Sequence, residues 1–127
     1  AAFVMKNKTY RYRSNKYLLY DIKNNLHIGS KYIKFLLQLD LINNDVISML
    51  ASYNAGPGNF KKWTKDRFEM INDPILMIES LPARQTRNYI KLVLTNLWIY
   101  RYRLNQKPYL IPALAIGKKA YYEEFPK

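Results

Sequence analysis

A phenol and an amide stand side by side at the point where one helical pattern in the sequence ends. Tyr53 and Asn54 are followed by Ala55 and Gly56, and Pro57 then prevents the helix from continuing. Gly56 tolerates the positive φ that the residue after a helix often adopts. Phenol and amide groups both donate and accept hydrogen bonds. The pattern therefore predicts a phenol and an amide at a helix C-terminus, beside a tight backbone corner.

Other kinds of site chemistry have little support in the sequence. The chain contains no cysteine, which excludes disulfides, thiolate metal sites and a cysteine nucleophile. Its single histidine, His27, has no second histidine with which to bind a metal ion, and we interpret it as a surface residue. No glycine pattern typical of phosphate or dinucleotide binding occurs. We therefore expect neither a metal site nor a cofactor.

The size and composition predict one folded domain. The chain has 127 residues, of which 49% are hydrophobic, so a buried core can form. No run of about 18 apolar residues occurs, and the first residues do not have the form of a signal peptide. The net charge is +12. It either indicates a polyanionic partner, such as nucleic acid, anionic lipid or an acidic wall polymer, or reflects a composition rich in Lys, Asn, Ile and Tyr.

Hydrophobic residues recur at spacings of three and four and predict an all-α domain of about five helices. The predicted helices run from residue 22 to about 40, from 46 to 54, from 59 to about 65, from 75 to 80 and from 83 to about 105. Asp21, Asp45 and Asp73 precede three of these helices, and we interpret them as helix caps. We expect residues 1–20 to form a loop and the tail after Tyr109 to wrap back over the core.

The same spacings assign side chains to the core. In the first helix we expect a buried face that includes Ile22 and Leu26, with Gly29 allowing another helix to approach closely. In the longest helix we expect one buried stripe, with Arg101 on another face of that helix. The stripe consists of Tyr89, Leu92, Val93, Leu97, Tyr100 and Leu104.

Three blocks of the sequence occur in the order typical of one enzyme family. Residues 52–56 read Ser-Tyr-Asn-Ala-Gly, which is similar to an Ala-Tyr-Asn-Ala-Gly motif with Ser in place of the first Ala. Residues 77–90 resemble a Glu-x-Ile-Pro and Glu-Thr-Arg-x-Tyr-Val block, and residues 21–37 resemble a helix that leads into a substrate groove. The family is the soluble lytic murein transglycosylases of glycoside hydrolase family 23, bacterial enzymes that cut peptidoglycan. The resemblance covers about residues 20–104.

This resemblance implies a fold and a division of the chain. The fold is an all-α, lysozyme-like domain of the goose type, which the chain presents in an N-terminally incomplete form. Residues 1–127 form one transglycosylase-like domain, with 20–104 as its core. Residues 1–19 lead into that core, and residues 105–127 form a C-terminal tail.

The resemblance also implies a reaction that needs one carboxyl group. Enzymes of this family cleave the bond between N-acetylmuramic acid and N-acetylglucosamine without water. A glutamic acid protonates the leaving oxygen, and the substrate's acetamido group stabilises the anomeric cation. The glutamate then acts as a base while the muramyl 6-hydroxyl closes a 1,6-anhydro ring. Most glycosidases use two carboxylates instead.

The family motifs imply substrate-binding roles for six residues of this chain. They are Tyr53, Asn54, Ala55, Gly56, Gln85 and Tyr89. Tyr53 is expected to place its hydroxyl near the acid and the N-acetyl group, while Asn54 and Ala55 line the same subsite. Gly56 shapes the corner that lets the sugar approach, and Tyr89 faces the groove from the long helix. Gln85 stands where the family usually has Glu, so the charge at that position is lost.

The catalytic Glu of the family has no counterpart in the sequence. In the family it stands in a Glu-Ser-x-Phe context, followed by Gly-Leu-Met-Gln, well before the Tyr-Asn-Ala-Gly block. None of the nine carboxylates of this chain has that context, and Glu79 matches a different block. We therefore expect no catalytic residue in this chain: the family Glu would lie upstream of Ala1. The isolated chain is predicted to be inactive.

Three functions remain to be compared. The first is part of a lytic transglycosylase that is active only with its missing half, which is either an upstream segment or a separate N-terminal half that carries the Glu. The second is a degenerate, non-catalytic module that binds peptidoglycan strands. The third is nucleic-acid binding through the net charge of +12. Because the motifs favour the first two, we expect peptidoglycan as the partner, no nucleic acid, and a periplasmic or envelope location.

Overall fold

A computed structural model describes residues 21–67 and 72–122, and these residues form six α-helices. Their bounds are α1 Ile22–Gln38, α2 Val46–Ala55, α3 Pro57–Thr64, α4 Pro74–Ser80, α5 Arg84–Arg103 and α6 Leu110–Ala115. The described residues contain no β-strand, and one isolated bridge pairs Asp45 with Tyr121. The predicted all-α fold is therefore confirmed. The predicted loop over residues 1–20 lies outside the described residues.

Three aspartates begin helices as the sequence predicts. The Asp21 carboxylate accepts a hydrogen bond from the Lys23 amide at 3.3 Å, at the start of α1. Asp45 accepts one from the Ser48 amide at 2.9 Å at the start of α2. Asp73 accepts two, both at 3.1 Å, at the start of α4. Each cap satisfies amide groups that have no partner within their own helix.

Helix α2 lies at the centre of the core. It packs against α1, α3 and α5, and α4 packs against α5. The fully buried side chains of this core include Leu36 from α1, Ile47 from α2, Phe60 from α3, Met77 from α4 and Ile90 from α5. Because α2 is covered on several sides, its C-terminal end is held rigidly where Tyr53 and Asn54 emerge.

The tail returns to the start of α2, as predicted. The Val46 amide donates to the Ala120 carbonyl, and the Tyr122 amide donates to the Asn44 carbonyl, both at 2.9 Å. The Asn44 side-chain amide also donates to the Tyr122 carbonyl at 2.9 Å. The tail contains α6, which the sequence analysis did not predict because of Pro112. Proline is tolerated there because the first turn of a helix needs no amide donor.

The predicted core faces of two helices were partly wrong. Ile22 and Leu26 of α1 are exposed, and full burial in α1 is confined to Leu36 and Leu37, with Tyr32, Ile33 and Phe35 partly buried against the core. In α5 the predicted stripe is rotated relative to the observed one, because Leu92, Tyr100 and Leu104 are exposed. The buried residues of α5 are Thr86, Ile90 and Arg101, flanked by the half-buried Tyr89, Val93, Leu94 and Leu97.

Arg101 was predicted on another face of α5 but is buried. Its Nε donates to the Lys107 carbonyl at 2.7 Å, and its guanidinium carbon lies 4.7 Å from the centre of the Tyr109 ring. A hydrogen bond and a cation–π contact together make burial of this charge possible. Within the described part of the chain, no helix combines the length and apolar character needed to cross a membrane.

Candidate functional site

Tyr53 projects from the last turn of α2 and is held between two other tyrosines. Its ring centre lies 5.6 Å from that of Tyr32 on α1, with the rings tilted by 48°. On the other side it stacks on Tyr89 of α5, with ring centres 6.4 Å apart and an interplanar angle of 5°. Such aromatic pairs contribute about 0.5–1.5 kcal/mol beyond the burial of their area. Tyr53 nevertheless remains 39% exposed, so its orientation is fixed while part of it stays accessible to a ligand.

Gly29 lies beside the Tyr53 hydroxyl. A Cβ atom added at Gly29 would meet the Tyr53 hydroxyl oxygen at 3.9 Å, an ordinary contact distance. We predicted close approach of another helix at this position. What approaches is the tip of a side chain from α2, and the space above Gly29 leaves room around the phenol.

Asn54 is tied to α5 through its side-chain oxygen. The Thr86 hydroxyl donates a hydrogen bond to Asn54 Oδ1 at 2.8 Å. Thr86 is only 2% exposed, while Asn54 is half-buried. Among the described residues, the Nδ2 group of Asn54 has no hydrogen-bond partner. The amide is therefore anchored at its oxygen, and its two N–H donors remain for another group.

The corner after Asn54 is formed by Ala55 and Gly56. Gly56 has φ 90° and ψ 144°, ends α2 and begins α3. The Asn59 side chain donates to the Ala55 carbonyl at 2.8 Å, and the Phe60 amide donates to the Gly56 carbonyl at 3.1 Å. The predicted positive φ at Gly56 is confirmed, and these two bonds fix the turn that places α3 behind the site.

The Tyr89 phenol is held in its neutral form. Partial burial, and to a lesser extent the neighbouring Tyr53, raise the pKa of the Tyr89 hydroxyl above its usual range. A phenol that keeps its proton can donate a hydrogen bond at every physiological pH. Tyr53 and Tyr89 thus present two hydroxyl groups from two different helices on one stacked pair.

Among the described residues, neither Gln85 nor Glu79 makes a hydrogen bond, ion pair or ring contact with Tyr53, Asn54 or Tyr89. Gln85 is exposed in the first turn of α5, and it makes no hydrogen bond or ion pair with another described residue. Glu79 is exposed and paired with Lys91 at 2.6 Å. The hydrogen bond and charge of Lys91 lower the pKa of the Glu79 carboxyl. Glu79 is therefore ionised at neutral pH and is a poor proton donor, in agreement with its interpretation as a structural residue.

Two contributors were not assigned to the site from the sequence. Tyr32 belongs to the first block of the resemblance, but its contact with Tyr53 depends on how α1 crosses α2. Thr86 stands three residues before Tyr89, a spacing that places both on one face of α5. That spacing was the available signal for Thr86.

Two cavities occur elsewhere on the described surface. An open notch of about 290 Å³ between α5 and α6 is lined by apolar residues that include Leu97, Trp98 and Ile111. A depression of about 770 Å³ is bordered by Lys34, Gln38 and other residues near the tail. Neither of these two includes Tyr53. Within residues 21–67 and 72–122, no group of three or more His, Asp or Glu residues could hold a metal ion.

Comparison with known proteins extends these observations. The model of the Transglycosylase SLT domain family matches residues 2–75, more than half of the chain. The chain is 37% identical over 101 residues to proteins named "Soluble lytic murein transglycosylase" from Escherichia coli K12 and Escherichia coli O157:H7, an alignment that covers 80% of this chain. It is 35% identical over 93 residues, 73% of the chain, to a protein of the same name from Salmonella typhimurium.

The aligned region is a small part of those relatives. It covers 15% of the length of the two Escherichia coli proteins and 14% of the Salmonella typhimurium protein. No solved structure gives a significant match. The family match begins at residue 2, well before residue 20, where the sequence motifs begin to resemble the family. On the match to more than half of its residues, the chain belongs to the Transglycosylase SLT domain family.

Proposed function

We propose that this chain is the saccharide-binding part of a peptidoglycan lytic transglycosylase. The parent enzyme cleaves the bond between N-acetylmuramic acid and N-acetylglucosamine and forms a 1,6-anhydromuramyl product. Tyr53, Asn54, Ala55, Gly56 and Tyr89 form part of the glycan site, with Gln85 at its edge. The location is the periplasm or cell envelope, where murein, the polymer in the relatives' name, is found.

One observation carries this proposal: a phenol that is fixed yet accessible. A tyrosine of the core would be buried, and a tyrosine of an ordinary surface would be free to rotate. Tyr53 is instead held between Tyr32 and Tyr89 while remaining 39% exposed. Asn54 beside it offers N–H donors. An accessible aromatic face next to fixed hydrogen-bonding groups suits a sugar, which has both apolar C–H faces and polar substituents.

The proposal includes the absence of catalysis by the chain alone. Among the six described carboxylates, Asp21, Asp45 and Asp73 are helix caps, and Glu79 is ionised beside Lys91. The other two, Asp40 and Asp66, are exposed in the turns after α1 and α3. A general acid contributes about 10²–10⁴-fold to the rate of such a reaction. We propose that the family Glu is supplied by another part of the parent protein or by a separate N-terminal half.

The catalytic part is tested with purified murein. Incubation with this chain is expected to give no 1,6-anhydro product in a muropeptide analysis, because the proton donor is missing. Addition of a separate segment that carries the Glu-Ser-x-Phe block is expected to restore the product. Clear anhydro product from the chain alone contradicts the proposed lack of the acid.

The binding part is tested by titration with chitooligosaccharide at constant salt. Tyr53→Phe removes one hydroxyl and is expected to weaken binding about 3–10-fold, the equivalent of one hydrogen bond. Tyr102→Phe is the matched control, because Tyr102 is exposed and lies about 20 Å along α5 from Tyr89. Equal binding by both variants would remove the basis for placing the site at Tyr53.

The alternative is a degenerate module that binds peptidoglycan and never cuts it. The exposed Gln85 supports this alternative, because the family usually has Glu there. The reconstitution experiment separates the two functions: a degenerate module binds chitooligosaccharide but stays inactive when the Glu-containing segment is added. Nucleic-acid binding predicts something different, namely a steep dependence on salt and no competition by sugar.

A further inference from the structure

We propose that Thr86 is a positioning residue that makes the glycan site selective for N-acetylated sugars. It does so by fixing the orientation of the Asn54 amide. This inference rests on the proposed function, because it assumes that a glycan binds beside Tyr53 and Asn54.

The geometry gives the amide one preferred orientation. An asparagine side chain can turn by half a rotation and exchange its oxygen for its nitrogen with little change in shape. The Thr86 hydroxyl opposes that exchange, because it donates its only proton to Asn54 Oδ1 at 2.8 Å. Thr86 is 2% exposed, so water cannot readily replace the lost acceptor. Leaving a buried donor without a partner costs about 1–3 kcal/mol.

This orientation decides what the site offers to a ligand. With Oδ1 turned toward Thr86, Asn54 has both Nδ2 N–H donors left for a neighbouring group. The stacked pair of Tyr53 and Tyr89 lies next to this bond, because Tyr53 adjoins Asn54 in α2 and Tyr89 is three residues beyond Thr86 in α5. The hydrogen bond and the ring stack therefore connect the same two helices side by side.

A site of fixed N–H donors discriminates between acceptors and donors. The carbonyl oxygen of an acetamido group accepts a hydrogen bond from Asn54 Nδ2. A de-N-acetylated sugar carries an ammonium group in its place, which can only donate. When the ammonium group faces the Asn54 N–H groups, neither donor has an acceptor. Sites built on fixed polar groups strongly reject analogues that leave those groups without partners. Thr86 thus contributes to selectivity without needing to touch the sugar.

The test compares two substitutions at Thr86. Thr86→Val keeps the shape and removes the hydroxyl, while Thr86→Ser keeps the hydroxyl. Binding of chitotetraose and of its fully de-N-acetylated form is measured by calorimetry for each protein at constant salt and pH. All three proteins have the same net charge, so the repulsion of the cationic sugar is the same in each and cancels from the comparison.

The expected result is a change in the ratio of the two dissociation constants. We expect the preference for the acetylated sugar to fall at least about 5-fold in Thr86→Val, because the amide can then turn. In Thr86→Ser we expect it to stay within about twofold of the original protein. An unchanged ratio in Thr86→Val overturns the inference while leaving the proposed function intact. Failure of the original protein to bind either sugar overturns the proposed function instead.

A second variant keeps the inference testable if Thr86→Val does not fold. Thr86→Ala removes the same hydroxyl with a smaller side chain and leaves the net charge unchanged. It is expected to lose the preference for the acetylated sugar as Thr86→Val does, and an unchanged preference overturns the inference. Thermal unfolding, monitored by circular dichroism, shows which variants are folded.

Discussion

The two ends of α2 differ in how far their polar side chains are buried. At the N-terminal end, Asp45 and Ser48 are buried, and the returning tail covers them. At the C-terminal end, Tyr53 is partly exposed and Asn54 is half-buried. The helix has only ten residues. A short, well-packed helix can therefore close one polar end for stability and leave the other accessible for binding.

The difference lies in which residues contact the polar side chains. At the closed end the Asp45 carboxylate accepts from the Ser48 amide and from the Ser48 hydroxyl, both within α2 and its cap. At the open end the contacts come from other helices: Thr86 donates to Asn54, and the rings of Tyr32 and Tyr89 pack against Tyr53. Substitutions at the closed end should thus affect unfolding, and substitutions at the open end should affect ligand binding.

The largest effect is expected from Asp45→Ala. The substitution removes the cap of α2 and leaves the buried Ser48 hydroxyl without its acceptor. We expect a loss of about 2–4 kcal/mol in the free energy of unfolding, measured by urea denaturation. Asp45→Asn is the matched control, because asparagine is an equally good cap. A loss below about 0.5 kcal/mol for Asp45→Ala would show that the buried Asp45–Ser48 contacts contribute little to the free energy of unfolding.

The next effect concerns the corner at the open end. Gly56 and Gly58 both have space for a Cβ atom, but only Gly56 has a positive φ, at 90°. Gly56→Ala is expected to cost about 1–3 kcal/mol through backbone strain. Gly58→Ala, inside α3, is expected to stabilise by up to about 1 kcal/mol. Similar changes in the free energy of unfolding for the two variants, measured by urea denaturation, would show that the positive φ of Gly56 is not the cause of the loss.

A gain in stability is expected one turn along α2 from Ser48. Ser52 is fully buried, and its hydroxyl has no hydrogen-bond partner among the described residues. Ser52→Ala is expected to raise the free energy of unfolding by about 1 kcal/mol, because a buried polar group is removed. Ser48→Ala should destabilise, since that hydroxyl donates to Asp45. Equal losses for both serines would show that Ser52 has a partner in the folded protein.

The smallest effect is a dependence on pH at the closed end. Burial raises the pKa of the Asp45 carboxyl, and the hydrogen bonds from Ser48 and the charge of Lys119 oppose that shift only in part. The folded chain therefore holds this proton more tightly than the unfolded chain does. Proton binding at Asp45 therefore stabilises the folded chain. This contribution is complete below pH 3.8 and is lost as the pH rises through the higher pKa of the folded state.

This pH dependence is measured by urea denaturation of the original protein and of Asp45→Asn across a range of pH. The stability of the original protein relative to Asp45→Asn should decrease as the pH rises from below 3.8. The asparagine side chain does not titrate, so the variant lacks this contribution. A relative stability that increases with pH would mean that the hydrogen bonds to Ser48 outweigh burial.

Local signals in the sequence predicted the helices and caps well. Aspartate before a helix, proline at its start and glycine at its end are effects of neighbouring residues, and they identified Asp21, Asp73 and Gly56 correctly. The buried faces were less predictable, because spacing gives the period of a stripe but not which stripe meets the core. Arg101 shows this most clearly, since its burial depends on Lys107 and Tyr109 in the turn beyond α5.

The part of the candidate site that lies in one stretch of the sequence could be predicted, whereas local signals do not report contacts between distant segments. Tyr53, Asn54, Ala55 and Gly56 are contiguous, so a motif could identify them together. Tyr32 joins them only through the crossing of α1 over α2, and Thr86 only through the packing of α5 against α2. Contacts between distant segments require the fold, and the roles of these residues in binding stay predictions until a ligand is measured.

The return of the tail to the start of α2 has a consequence for how the chain opens. The Asn44 side chain and the Tyr122 carbonyl are 78 positions apart, and closing a loop of that length costs roughly 4 kcal/mol in chain entropy. We therefore expect these bonds to form late, once the intervening helices have assembled. The Val46 amide donates to the Ala120 carbonyl. The hydrogen–deuterium exchange rate of the Val46 amide therefore reports when the tail separates from the start of α2.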